Sequence, residues 1–149
     1  MFDITNKNIL VTGATSGIGK AAALKLSLLG ANIFFVARNQ QKAKLLVDEI
    51  SEISDKEAVP IIADLSSQAD IHSVAQVFNS FNIPLHVLLN NAGLINKERK
   101  ETVDGLEEVF AINHIAYFLL TMLLLDRLKE ANNSRIVNVS SGAHAFVKG

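Results

Sequence analysis

The 149-residue chain contains no cysteine. That excludes disulfides, thiolate catalysis and Cys-ligated zinc together, and it fits a reducing compartment. Charge is sparse: charged residues make up 19% of the chain and the net charge is −1. No global field therefore draws the molecule to nucleic acid or an acidic membrane, and an anion site has to be built locally, from a loop. The opening MFDITNKNILVTG has no basic leader followed by an apolar stretch and a small-residue cleavage site, so no secretory signal is expected. The longest apolar run, Ile115 to Leu125 with one Thr inside it, is shorter than the ~20 residues needed to span a bilayer. A soluble, cytoplasmic protein without a membrane span is the expectation. His72, His86, His114 and His144 form no i, i+4 or other short pair, so no metal site is expected. The alternating Lys97–Glu101 segment reads as a solvated surface rather than a nucleic-acid contact.

What is present is apolar: 49% of residues are hydrophobic and mean hydropathy is +0.27, which speaks for one folded domain and against an extended disordered tail. Nearly continuous apolar runs at Ile9–Thr12, Ile33–Val36, Val59–Ala63, Leu85–Leu89 and Ile136–Val139 suit strands buried on both faces. Between them lie stripes at helical period: Ile18, Ala22, Leu26 and Leu29, then Ala43, Leu46, Val47 and Ile50, then Ile71, Val74, Ala75 and Phe78. Gly30 stands where a helix would end, and Ser67 or Ser66 where the third would be capped. A fourth helical region is expected from about Val103 to Glu130, with apolar residues on more than one face, so that it needs two partners. Strict alternation of five strands and four crossover helices gives an α/β fold with a doubly wound parallel sheet.

The segment NILVTGATSGIGKAAALKL is a strand, a glycine-rich turn and a helix. Gly13 allows the tight turn, Gly17 a close backbone approach at the helix N-terminus, and Gly19 close packing of helix on sheet; free N–H groups and the helix dipole then favour a pyrophosphate. Taken alone, three glycines could be a plain strand-to-helix connection. The spacing T-G-x-x-x-G-x-G, with Asp64-Leu65 after the third strand, Asn90-Asn91-Ala92-Gly93 after the fourth, Asn113 in the long helix and IVNVSS on the fifth, resembles the short-chain dehydrogenase/reductase family over the whole chain. The runs NHIAYFLLTMLLLDRL and RIVNVSSGAH look most like its retinol dehydrogenase-like branch.

The resemblance implies a Rossmann-type fold and hydride transfer between a nicotinamide and a carbonyl or alcohol, a hydrophobic one if the branch holds. It places Gly13, Thr15, Ser16, Gly17, Ile18 and Gly19 at the cofactor, Asp64 and Leu65 beside the adenine, and Asn90, Ala92 and Gly93 along the ribose and central sheet. An NAD-selective site carries a carboxylate near the end of the second strand, whereas this sequence has Ala37 and Arg38. Arg38 can pair with a 2′-phosphate as a planar donor fork, so NADP(H) is the expected cofactor; the plainer reading is a solvated arginine at a strand end. By the same matching, Ser141 binds the substrate oxygen and Asn113 belongs to a proton relay.

The family's tyrosine, with a lysine four residues later on the same helix face, has no match here. The one tyrosine, Tyr117, precedes the serine strand and is followed four residues later by Thr121, so it reads as packing. Residues 1–149 are thus expected to be an NADP-binding Rossmann domain, truncated before the Tyr-x-x-x-Lys helix. Its C-terminal strands and helices would be missing, leaving an apolar edge at Ile136–Val139 and a poor catalyst alone. Alternatives from other classes are a non-catalytic NADP(H)-binding module and an interaction protein whose long helix docks a partner. A homodimer or homotetramer is in keeping with the resemblance.

Overall fold

The structure, a computed structural model, describes residues 3–56 and 58–142. Five strands form one sheet: β1 (Asn8–Thr12), β2 (Asn32–Ala37), β3 (Ala58–Ile62), β4 (Val87–Asn90) and β5 (Arg135–Asn138). They lie in the order β3-β2-β1-β4-β5 with every pairing parallel. The chain runs outward from β1 to β3, then returns to pair β4 with β1, so the order reverses between β1 and β4. This is the doubly wound, Rossmann-like sheet expected from the alternation of elements.

Side chains alternate across the strands into two cores, as a period of two requires. Leu10, Phe34, Val36, Ile61 and Leu88 face α3 (Gln68–Ser80) and the long helical region that follows β4. Ile9, Val11, Ile33, Phe35 and Val87 face α1 (Gly17–Leu28) and α2 (Gln40–Ile53). Phe34 and Phe78 meet edge to face with ring centroids 5.1 Å apart, a preferred geometry for aromatic pairs.

The buried faces of α2 and α3 are those the sequence indicated: Ala43, Leu46 and Ile50 on one, Ile71, Val74, Ala75 and Phe78 on the other. Ser67 caps α3, its Oγ accepting from the Asp70 N–H at 3.2 Å. Gly30, at φ +85°, ends the α1 turn and donates its N–H to the Ser27 carbonyl at 2.8 Å. The expected face of α1 is corrected. Its buried stripe is Gly19, Ala23 and Ser27, whereas Ile18 and Leu29 are exposed. Small residues let this helix approach the sheet closely, so hydrophobicity does not mark its inner face.

The fourth helix begins five residues later than expected. Thr102 closes a turn with Leu106 and Gly105, the latter at φ +72°, and the Glu107 carboxylate then accepts the Val109 and Phe110 N–H groups. These two bonds hold that carboxyl below its ordinary pKa. The helix comprises α4 (Glu108–Phe110), a π-helical segment Ala111–Ile115, α5 (Ala116–Leu123) and α6 (Leu125–Glu130). Ala111, Ile112, Ala116, Leu120, Leu124 and Leu128 are buried, while Phe110, Phe118 and Met122 are exposed on the opposite side. Strand β5 lies at the sheet edge with all four residues exposed.

Candidate functional site

At the C-terminal ends of the strands, where the strand order reverses, lies a cavity of about 590 Å³. This is the crevice in which open α/β sheets place their ligands. The turn after β1 supplies Gly13, Thr15, Ser16, Gly17 and Ile18. The end of β2 supplies Arg38, the β3 loop Asp64 and Leu65, and the β4 loop Asn91, Ala92 and Gly93.

The turn is held by a side-chain clamp. Thr12 Oγ1 accepts the N–H groups of Asn91 (2.9 Å) and Ala92 (3.0 Å), and Asn91 Nδ2 donates to the carbonyls of Thr12 and Gly13. Gly13 sits at φ +66°, and a Cβ there would lie 2.8 Å from the Ala92 Cα. A Cβ on Gly19 would collide with the Gly13 carbonyl and Asn91 Nδ2. Gly17 is different: it has φ +53°, yet nothing lies within 4 Å of where its Cβ would be. Its backbone therefore faces open cavity.

The N-terminus of α1 is also distinctive. Helices α2, α3 and α4 have their first-turn N–H groups bonded by the side chains of Asn39, Ser67 and Glu107, but Ser16 at the head of α1 makes no such bond. Orphan helix N–H groups with the positive end of the dipole form a ready anion site. Residues and geometry fit a diphosphate.

The remaining expected site residues are placed as follows. Asn90 does not line the cavity; it is fully buried, its Nδ2 donating to Asn138 Oδ1 (2.9 Å) and Thr121 Oγ1 (3.2 Å), and it ties β4 to β5 and α5. Its neighbour Asn91 takes the cavity position. Asn113 lies in the π-helical segment, where the Ala116 N–H reaches the Ala111 carbonyl. Its side chain exchanges two bonds with the Leu94 backbone, accepting from N–H at 3.0 Å and donating to the carbonyl at 2.9 Å. Ser141 follows β5 and is exposed; Val139, two residues earlier, lines the cavity and donates its N–H to the Asn90 carbonyl at 2.8 Å. Tyr117 is half-buried, and burial pushes its hydroxyl pKa up, the wrong direction for a proton donor at neutral pH.

Sequence reasoning passed over Asn39, Lys42, Leu94 and Ile112, which also line the cavity. The signal for Asn39 was available: an Asx residue immediately before an amphipathic stretch is a helix cap. Among the described residues no group of three or more His, Asp or Glu could hold a metal ion; His144 lies outside them. No helix among the described residues is long and apolar enough to cross a membrane.

The model of the short chain dehydrogenase family matches residues 7–147. The chain belongs to the short-chain dehydrogenase family. Human polyprenol dehydrogenase is 42% identical over 140 residues, which cover 91% of this chain and 42% of that protein. Human retinol dehydrogenase 11 is 42% identical over 142 residues, covering 95% of this chain and 45% of that protein. These relatives bear out the retinol dehydrogenase-like branch. Among solved structures, the Pseudomonas aeruginosa RhlG/NADP active-site complex superimposes with a TM-score of 0.80 at 31% identity, covering all of this chain and 61% of that one. The chain spans less than half the length of the two human relatives.

Proposed function

We propose that this short-chain dehydrogenase chain binds NADP(H) and forms the cofactor-binding part of an oxidoreductase that interconverts a carbonyl and an alcohol. The observation that carries the reading is the uncapped head of α1 opening onto a cavity that Arg38 also lines, with no carboxylate on β2. The NADP bound to the RhlG relative is in keeping with it. Backbone amides at Ser16 to Gly19 hold the diphosphate, and Arg38 meets the 2′-phosphate with its fork of donors. Asp64 and Leu65 flank the adenine.

When bound, NADPH supplies the hydride. Ser141 donates its hydroxyl hydrogen to the substrate oxygen and fixes the carbonyl for attack. Asn113, locked onto Leu94, holds the loop after β4 against the helix and with it the relay position. The general acid that delivers the proton to oxygen is not Tyr117. Residues 1–149 hold no Tyr-x-x-x-Lys pair, so they bind cofactor but turn over poorly. The substrate is a small hydrophobic carbonyl or alcohol, and the working protein is a cytoplasmic homodimer or homotetramer.

The test is a titration of the purified chain with NADPH and NADH. Arg38→Gln is expected to weaken NADPH about ten- to hundredfold, the value of one or two charge-assisted contacts, with NADH little changed. An unaltered NADPH-to-NADH preference would refute the assignment.

A further inference from the structure

Asn138, the last residue of β5, stands three residues before Ser141. In the ladder it faces Asn90, the last residue of β4, and the two side chains meet, Asn90 Nδ2 donating to Asn138 Oδ1 at 2.9 Å. The second hydrogen of the same amide goes to Thr121 Oγ1 on α5 at 3.2 Å. Asn90 is fully buried, and its Oδ1 accepts no bond among the described residues. The amide is therefore held through its two N–H groups, and turning it over would set its oxygen against that of Asn138. Packing contributes little at this end of β5, whose four residues are all exposed. Beyond Asn138 the ladder continues as a backbone bond, from the Val139 N–H to the Asn90 carbonyl at 2.8 Å.

We propose that Asn138 and Thr121 are positioning residues for the reaction: by sharing the buried amide of Asn90 they fix the end of β5, and with it Ser141, relative to the cavity and to the helical region that carries Asn113. This rests on the reading of the chain as part of an NADP(H) oxidoreductase in which Ser141 binds the substrate oxygen. Asn90 joins the strand end to the cavity because the next residue, Asn91, donates to the Thr12 and Gly13 carbonyls of the glycine turn. Thr121 joins it to Asn113, eight residues earlier in the same helical region. Three extended residues span up to about 10 Å, so a small swing at Asn138 carries the serine well away, and a displacement of about 1 Å at a reacting centre can cost on the order of a hundredfold in rate. Removing either acceptor leaves a buried N–H unpaired on an amide whose oxygen already lacks a partner, which loosens the amide and the strand end it holds.

The test combines amide hydrogen exchange and NMR relaxation with calorimetric titration of NADPH, for the wild-type chain, Asn138→Ala, Asn138→Asp, Thr121→Val and Thr121→Ser, each checked for native circular dichroism. Asn138→Ala and Thr121→Val are expected to speed exchange of the Val139 N–H about tenfold and to lower the order parameter of the Ser141 amide. Exchange at Leu10 and Val11 in β1, and the NADPH affinity, should stay within about twofold. Asn138→Asp and Thr121→Ser keep the acceptor oxygen and should restore wild-type behaviour at Val139 and Ser141. Unchanged signals at both positions in the two loss variants, an equal speed-up across the whole sheet, or no rescue overturns the positioning role while leaving the cofactor reading intact. A wild-type chain that binds no NADPH overturns the functional reading, and the proposal with it.

Discussion

Thr12 gathers more of the site's geometry than any glycine. Its hydroxyl oxygen is the acceptor for two consecutive backbone N–H groups of the β4 loop, and it is almost fully buried. Thr12→Val keeps the shape and removes the acceptor, so each orphaned N–H should cost on the order of 1–3 kcal/mol; a urea melt reads the loss, and an unchanged midpoint would contradict it. At the opposite end of the sheet, His86 Nδ1 accepts the Asn8 N–H at 3.1 Å, so the bond exists only while that nitrogen is unprotonated. Burial, aided by Lys7, lowers the His86 pKa below its ordinary 6.5. The unfolded chain therefore takes up the proton first. Stability is complete above about pH 6.5 and is lost as the pH falls from there through the lower folded-state value. The urea midpoint should drop between pH 7.5 and 5.5 in the wild type, and more shallowly in His86→Gln; parallel pH profiles would count against it.

The elements differ in how far their sequences disclosed them. On α2 and α3 the apolar stripe and the buried face coincide because both helices use Leu, Ile, Val or Phe against the sheet. Helix α1 hides its inner face in Gly19, Ala23 and Ser27 because close approach to the sheet leaves no room for larger side chains. Ala23→Leu should accordingly cost about 1–3 kcal/mol by overpacking, whereas Leu29→Ser, at an exposed position, should stay within about 0.5 kcal/mol. Thermal unfolding of the two variants distinguishes these assignments. The long helix was legible as apolar on more than one face but not as interrupted, since a π-helical turn leaves no compositional mark; Asn113 marks the place only through its bonds to Leu94.

At the scale of the molecule, the doubly wound parallel sheet followed from the alternation of strands and helices, because parallel strands need right-handed crossovers, whereas the order β3-β2-β1-β4-β5 and the crevice where it reverses are read from the structure. The glycine turn, Arg38, Asp64 and Leu65, singled out in the sequence by spacing, charge and resemblance, come together along one cavity because each lies at the C-terminal end of a strand. Asn90 and Asn91 could not be told apart in sequence, since only register decides which of two neighbours points inward. Among the described residues, Ile136 and Val137 on the edge strand β5 are 44% and 43% exposed, and Phe118 and Met122 are exposed on α5. Such an edge favours association. The chain should sediment as concentration-dependent oligomers, and Val137→Lys should shift it toward monomer; a strictly monomeric wild type at high concentration would contradict that expectation.

The most direct measurement is a calorimetric titration of the folded chain with NADPH and, separately, NADH at the same ionic strength. A cavity built from the open head of α1 and the cation after β2 predicts saturable binding of NADPH, with NADH at least about tenfold weaker. Equal affinity for the two, or heat from neither, would contradict it.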